Sequence, residues 1–180
     1  MRKLSFLFLL LVSCQSLQPI SEIKGKYKLF NQDSILITFP DDLKGKKVII
    51  GFIYTHCPDI CPMIVENMIK IDQKLKKEKN IVFVLVSFDP LRDKPSVMKE
   101  FGKISELDFQ RWYLLTGGDW EGLINEFKIV TIKRPVNDSV YFIDHTSRIS
   151  LINSKGKIVK NYIGHVVNID EVVNDVKRTN

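Results

Sequence analysis

The sequence predicts an α/β fold in which a central mixed sheet is flanked by helices. The 180 residues, 44% of them hydrophobic, are enough for one domain with a substantial core. Two continuous apolar runs, at residues 48–54 and 81–88, are each followed by a helical pattern, which is typical of buried parallel strands. The chain closes with a hairpin and a helix, and this ending adds an antiparallel edge to the sheet.

Shorter elements complete this layout. The first two strands enclose a polar turn and form an added N-terminal hairpin. The predicted strands cover residues 28–31, 35–39, 48–54, 81–88, 112–115, 140–143, 148–152 and 157–162. The predicted helices cover about residues 63–77, a segment that begins at Pro95, residues 119–127 with Asp119 as cap, and residues 168–177 with Asn168 as cap. Residues 129–137 are predicted to form a loop.

The N-terminus has the layout of a secretory signal. Arg2 and Lys3 precede an apolar run at residues 4–12, which is too short to span a bilayer. The run ends in LVSC, which resembles the lipobox of bacterial lipoproteins and implies cleavage before Cys14 and acylation of that cysteine. We therefore expect a signal peptide at residues 1–13, a lipidated tether at 14–25 and one domain at 26–180. An ordinary signal peptide is the alternative; both place the mature protein in the cell envelope, facing the periplasm or the cell exterior.

Charge excludes one class of partner. The formal net charge is +6, but basic residues are not interleaved with aromatic ones in a repeated way, so no nucleic-acid partner is expected. The densest basic run, at residues 74–79, lies on a predicted helix. We interpret it as a solvated helix face, with contact to anionic lipid or an acidic partner as the alternative.

The cysteines predict redox or metal chemistry. If Cys14 carries lipid, only Cys57 and Cys61 remain, and one close pair is not a disulfide scaffold. They lie where a buried strand gives way to a helix, with Pro58 suited to a first helical position; free N–H groups at a helix start favour a thiolate. Three residues separate them, rather than the two of thioredoxin-type motifs. On one regular helix their Cα atoms would lie about 6 Å apart, which suits two sulfurs on one soft metal ion and also permits a disulfide.

A metal would need a further ligand, and the chain offers three histidines. His56 adjoins Cys57, and neighbouring side chains rarely point the same way. His165 is interpreted as a surface residue. His145 follows a predicted strand and could reach the cysteines, although a lone histidine is more often structural, so the residues alone leave its role open.

Specific motifs resemble the Sco/SenC family of copper chaperones for cytochrome c oxidase assembly. The resemblance covers roughly residues 26–177. Its motifs here are THCPDICP at residues 55–62, DHT at 144–146, VSFDPLRD at 86–93, LKGK at 43–46 and LTG at 115–117.

The resemblance implies a thioredoxin-like fold and a copper site made of Cys57, Cys61 and His145. It also implies a redox disulfide between the two cysteines, which could not bind copper. Asp89 matches an acidic position near the family's site, and a simple turn role before Pro90 is the alternative. Copper is implied as Cu(I) or Cu(II). The implied partners are the copper-site subunit of cytochrome c oxidase, a thiol reductant protein and a membrane reached through the lipid anchor.

Two functions remain open at this stage. The first is a metallochaperone that delivers copper to the oxidase. The second is an enzyme, a thiol–disulfide reductase that keeps the oxidase's copper-ligating cysteines reduced. His145 separates them, because copper retention needs an imidazole and thiol exchange does not. A peroxidase has less support, and so does an inert structural disulfide.

Overall fold

The computed structural model describes residues 16–137 and 140–180. The predicted signal peptide and Cys14 lie outside these residues. The strands are β1 (Ser21–Glu22), β2 (Tyr27–Phe30), β3 (Leu36–Phe39), β4 (Lys47–Ile53), β5 (Ile81–Ser87), β6 (Trp112–Leu115), β7 (Thr131–Pro135), β8 (Tyr141–His145), β9 (Arg148–Ile152) and β10 (Lys157–Ile163). The helices are α1 (Ile60–Lys74), α2 (Pro95–Ile104), α3 (Trp120–Glu126) and α4 (Ile169–Arg178), with two 3-10 turns at Asp41–Leu43 and Gly164–Val166.

A six-stranded mixed sheet forms the centre of the fold. Its strand order is β1-β10-β9-β4-β5-β6. β4, β5 and β6 run parallel, and β9 joins β4 antiparallel, as the C-terminal hairpin predicted. Every residue of β5 is buried, and so are six of the seven in β4. These strands are covered on both faces, which explains why their sequences are continuously apolar rather than alternating.

Helix α1 lies directly against β4 because of one small residue. The buried side chains of α1 include Ile64, Met68 and Ile71, spaced at three and four positions along one helix face. A Cβ added to Gly51 of β4 would lie 2.6 Å from the Met68 sulfur. The close approach places the first turn of α1 beside the C-terminal end of β4. That end of the sheet is where the cysteines are found.

The segment after α3 differs from the prediction. Residues 131–135, predicted to be part of a loop, form β7, which pairs with β8 from Thr131↔His145 to Pro135↔Tyr141. The resulting two-stranded ribbon is separate from the central sheet. Four of the five β7 residues are exposed. A strand without a buried face shows no apolar alternation, so its sequence pattern gave no strand signal.

The two predicted helix caps have different outcomes. Asn168 is confirmed, because its side chain accepts a hydrogen bond from the Glu171 N–H at 3.2 Å. Asp119 is not a side-chain cap of α3; its carboxylate accepts from the Lys28 N–H at 2.9 Å instead. It therefore joins α3 to β2. Within the described residues no helix is both long and apolar enough to cross a membrane.

A tight backbone crossing lies next to Asp119. The Asp119 N–H donates to the Lys28 carbonyl at 2.9 Å. Gly118, with φ at +56°, lies so close that an added Cβ would be 1.9 Å from the same carbonyl oxygen. Gly45 also has a positive φ, +88°, but a Cβ there would meet nothing within 4 Å. A side chain at Gly45 would therefore cause backbone strain alone, whereas a side chain at Gly118 would cause both backbone strain and a steric clash.

We expect Gly118→Ala to destabilise the fold far more than Gly45→Ala. Gly45→Ala carries only the left-handed backbone cost, about 1–2 kcal/mol in the free energy of unfolding. Gly118→Ala adds a clash with a main-chain oxygen, worth about 1–3 kcal/mol more. Urea unfolding of both variants measures the difference, and equal losses would show that β2 moves aside without cost.

Candidate metal centre

The cysteines lie on a turn between β4 and α1. After Ile53 the chain leaves the sheet at Tyr54 and enters α1 at Ile60. Cys57 lies in this turn, where its N–H donates to the Tyr54 carbonyl at 3.3 Å. Cys61 is the second residue of α1 and is buried.

One expectation about this turn is wrong, and one assumption is not met. Pro58 is not the first helical residue, because Asp59 precedes the helix with a non-helical φ of −121° and ψ of −99°. Cys57 lies before α1, so the two cysteines do not share the single regular helix for which their separation was estimated. Residues 55–59 form the turn in which the chain changes direction between β4 and α1. This turn lets the Cys57 sulfur fold back over the helix start.

The ribbon brings a histidine to the same place. His145 is the last residue of β8, and its Nε2 lies 3.1 Å from the Cys61 sulfur. The ligand atoms of Cys57, Cys61 and His145 all lie within 4.8 Å of one another. The three residues named from the sequence are therefore together in space, in a group that could hold a metal ion. Two sulfurs and one imidazole form a soft donor set.

The other two histidines point elsewhere. His56 has its Nδ1 3.0 Å from the Thr55 hydroxyl and 3.8 Å from an Asp93 carboxylate oxygen, and its side chain is 53% exposed. His165 was expected on the surface, but it is half-buried in the Gly164–Val166 turn. Its Nδ1 is enclosed without a hydrogen-bond partner among the described residues.

The two thiols differ in protonation. A hydrogen bond from the Cys61 thiol is the main cause that lowers the pKa of Cys57 to about 3; His145 and the backbone N–H groups of Cys61 and Asp59 also lower it, against partial burial. Burial raises the pKa of Cys61, and its bond to Cys57 adds to the rise. The pair is thus one thiolate and one thiol. Binding a metal through both sulfurs requires Cys61 to lose its proton.

The His145 ring is held in one orientation. Its Nδ1 lies 3.1 Å from the Thr146 carbonyl oxygen, which can only accept a hydrogen bond. Nδ1 therefore donates to that carbonyl, and Nε2 is the ring atom that faces the Cys61 sulfur. The ring also packs against Phe88, with 4.7 Å between the ring centroids, and meets Tyr54 edge-on at 6.2 Å.

Few contacts fasten the ribbon that carries His145. The Tyr54 hydroxyl accepts from the Ile143 N–H at 3.0 Å. Tyr141 donates to Asp89 at 2.8 Å, and Arg92 bridges the two by donating to the Tyr141 carbonyl at 3.0 Å and to Asp89 at 2.5 Å. The Arg92 guanidinium also lies 3.6 Å from the centre of the Tyr141 ring. Asp89 thus contacts the ribbon rather than the cluster itself.

Asp93 is a residue for which the sequence indicated no role. Its side chain is fully buried, and it accepts from the Thr55 N–H at 3.0 Å, the Thr55 hydroxyl at 2.5 Å and the Ser87 hydroxyl at 2.6 Å. It fixes the first residue of the cysteine turn to the end of β5. The available signal was its place at the end of the VSFDPLRD motif, five residues beyond the apolar run at 81–88.

An open cleft reaches the cluster. Its volume is about 510 Å³. Pro58 and Ile60 line one wall, and Phe142 and Ile143 of the ribbon line the other. Cys57 and His145 are among the lining residues, whereas Cys61 is not. A metal ion between the three ligands would be approached through this mainly apolar cleft.

The chain is similar to known sequences over nearly its full length. The family model described as SCO1/SenC matches residues 15–180. The SCO1 protein homolog of Bacillus subtilis is 34% identical over 182 residues, covering 95% of this chain and 91% of that protein. A SCO2-like protein of Rickettsia felis is 34% identical over 146 residues, covering 78% of this chain and 69% of that protein.

Solved structures show the same fold. ScoI of Bradyrhizobium japonicum, solved with copper bound, is 30% identical with a TM-score of 0.77, covering 87% of this chain and 99% of that one. A SCO1/SenC family lipoprotein of Bacillus anthracis is 31% identical with a TM-score of 0.78, covering 90% and 97%. The predicted thioredoxin-like fold is confirmed. Because the family model matches residues 15–180 and the Bacillus subtilis relative is 34% identical, this protein belongs to the SCO1/SenC family.

Proposed function

We propose that this protein carries copper on Cys57, Cys61 and His145 and delivers it to the copper site of a respiratory cytochrome c oxidase. The observation that carries the proposal is the convergence of two sulfurs and one imidazole nitrogen within 4.8 Å, although His145 is 84 positions beyond Cys61. Support comes from ScoI, solved with copper bound, and from BsSco, described as a member of the Sco family of cytochrome c oxidase assembly proteins. BsSco is 30% identical to this chain.

The site's chemistry suits a cargo that must be released. Two thiolates and one imidazole favour Cu(I), and they hold Cu(II) when a fourth ligand completes the set. Cys57 already carries negative charge, Cys61 gives up its proton on loading, and His145 presents its Nε2. Because the cleft opens onto Cys57 and His145, a ligand of the receiving protein can enter beside the ion and displace them in turn.

We also infer that the protein works outside the cytoplasm on a lipid anchor. Residues 1–13 would be removed, Cys14 acylated, and residues 14–25 would tether the domain at 26–180. A Bacillus anthracis relative is described as a lipoprotein. The working location is then the cell envelope, with the domain facing the periplasm or the cell exterior.

One observation favours a second function, thiol–disulfide reduction. Cys57 is a half-exposed thiolate beside a buried Cys61 thiol. The Cys57 thiolate would attack a client disulfide and release one client thiolate. Cys61, after losing its proton, would attack the Cys57 sulfur and release the second client thiolate, leaving a Cys57–Cys61 disulfide. A thiol reductant protein would then restore both thiols, since the disulfide cannot bind copper.

Asp89 has a positioning role in this proposal. It does not touch the three ligands; it accepts from the Tyr141 hydroxyl at 2.8 Å, four residues before His145 on the same strand. Asp89 and Arg92 together hold the ribbon at the distance that lets the imidazole meet the sulfurs. Asp89 is therefore more than a turn residue before Pro90, because it also contacts the ribbon.

An anaerobic copper titration of the reduced protein tests the ligand set. We expect one copper per chain, and we expect His145→Ala to raise the Kd by about 100-fold or more, because loss of a ligand exceeds the 10–100-fold cost of losing a supporting residue. His165→Ala, the removal of another half-buried imidazole, serves as the control and should leave the Kd unchanged. Copper binding indifferent to His145 would shift the assignment to thiol exchange.

The reactivity of Cys57 tests the thiolate. With its pKa lowered to about 3, Cys57 remains ionised, so its alkylation rate should stay nearly level from about pH 8 to about pH 5. Cys61→Ala removes the hydrogen-bond donor and should raise the pKa of Cys57. The rate should then fall with decreasing pH. Mass spectrometry after timed iodoacetamide treatment measures this, and a tenfold fall per pH unit in the unaltered protein contradicts it.

Tyr141→Phe tests the positioning role. The substitution removes only the hydroxyl that binds Asp89, and we expect a 10–100-fold rise in the Kd for copper. In a His145→Ala background the same change should have no further effect, because the ribbon then carries no ligand. Tyr27→Phe removes a comparable 2.7 Å bond to Glu126, remote from the site, and is the matched control. Equal effects in both backgrounds would mean that Tyr141 acts on the fold in general.

A further inference from the structure

The two ends of the central sheet differ in character. The metal centre lies at the C-terminal end of β4, past Ile53. The opposite end is where β4 and β5 begin, with Lys47 paired to Ile81. Seven residues of strand separate the two ends by roughly 20 Å. A membrane or partner that contacts the far end would therefore leave the metal centre uncovered.

Several segments meet at that far end. The Gly45 N–H donates to the Ser154 carbonyl at 2.8 Å, which joins the start of β4 to the β9–β10 turn. The Lys47 N–H donates to the Asn80 carbonyl at 2.9 Å, which adds the segment after α1. The Lys47 ammonium donates to the Val176 carbonyl at 2.9 Å, which adds the end of α4.

Each of these segments contributes basic side chains. We call this surface the basic end; its exposed members are Lys24, Lys26, Lys44, Lys76, Lys77, Lys79, Lys155, Lys177 and Arg178. The acidic side chains at or near it are fewer: Glu22, Asp41, Asp42, Glu78, Glu106, Asp108 and the buried Asp175, which lies 4.0 Å from Arg178. Asp41 is already paired with Lys26 at 2.7 Å and with Lys44 at 2.6 Å, and Glu22 is paired with Lys157. The basic end therefore carries an excess of positive charge.

The N-terminal segment leaves the domain at the same place. The Leu17 N–H donates to the Arg178 carbonyl at 3.2 Å. Cys14 lies three residues before Leu17, a reach of at most about 10 Å of extended chain. An acyl chain on Cys14 would thus hold the basic end within about one Debye length of the headgroups.

We propose that the basic end is an electrostatic contact surface for anionic lipid headgroups, which orients the metal centre away from the membrane. The basic run at residues 74–79 was first interpreted as a solvated helix face, but α1 ends at Lys74. The lysines at 76, 77 and 79 follow the helix and belong to this surface, together with Lys44, Lys155 and the tether. Basic residues near an anionic bilayer contribute about a fivefold change in binding each. The inference rests on the proposed anchor for the presence of the membrane, and it does not depend on copper.

Lysine footprinting of the full chain on vesicles tests the orientation. Vesicles of phosphatidylcholine with phosphatidylglycerol are compared with vesicles of phosphatidylcholine alone. A water-soluble acetylating reagent labels exposed lysines, and peptide mass spectrometry reports each rate. On the anionic vesicles we expect labelling of Lys44, Lys77 and Lys155 to slow several-fold and labelling of Lys94 and Lys133, near the metal centre, to stay unchanged. High salt should abolish the protection.

Charge-matched variants complete the test. Lys77→Gln with Lys79→Gln should remove most of the protection of Lys155. Lys94→Gln with Lys99→Gln, the same loss of charge at the start of α2 and within it, should not. Equal labelling on both vesicle types, protection centred on Lys94 and Lys133, or equal effects of the two double variants would overturn the proposal. The mass of the N-terminal peptide reports acylation, and a copper titration of the same samples reports metal binding. Failure of the anchor or of the copper site is thereby distinguished from failure of this surface.

Discussion

A fully buried carboxylate, Asp93, organises the end of the sheet on which the site is built. Its side chain binds Thr55, just beyond β4, and Ser87, the last residue of β5. Its backbone carbonyl accepts from the Thr116 hydroxyl at 2.6 Å, just beyond β6. One residue therefore joins the ends of all three parallel strands. A buried charge without partners costs far more than one that is hydrogen-bonded, so this arrangement tolerates little change.

Two consequences follow from that constraint. The first residue of the cysteine turn is fixed through both its N–H and its hydroxyl, so the turn starts from a defined point. His56, next along the chain, has its Nδ1 against the Thr55 hydroxyl and near Asp93, outside the cluster. The sulfur of Cys57 is then the first side chain of the turn that can face His145. Asp93 thus lies near the histidine that is outside the cluster and has no hydrogen bond to Cys57, Cys61 or His145.

Much of the fold could be predicted from the sequence because buried parallel strands have continuous apolar runs. β4, β5 and the β9–β10 hairpin follow their predicted ranges within one residue. β7 could not be predicted, since an exposed ribbon has no buried face to produce a pattern. At the site, the spacing of Cys57 and Cys61 indicated shared chemistry, but it could not show that Cys57 lies in a turn before α1 while Cys61 lies on the helix. The residues alone did not choose His145; the family resemblance did, and only three-dimensional structure shows Asp93 and Tyr54 around it.

The separation of the β7–β8 ribbon from the central sheet changes what a bound ion does. Cys57 lies just before α1 and Cys61 lies in its first turn, whereas His145 lies on the ribbon. An ion held by all three would join the ribbon to the first turn of α1. It would add to the contacts of the ribbon with Tyr54, Asp89 and Arg92. Under the proposed function, displacement of His145 first would separate the ribbon from the ion while both sulfurs still hold it.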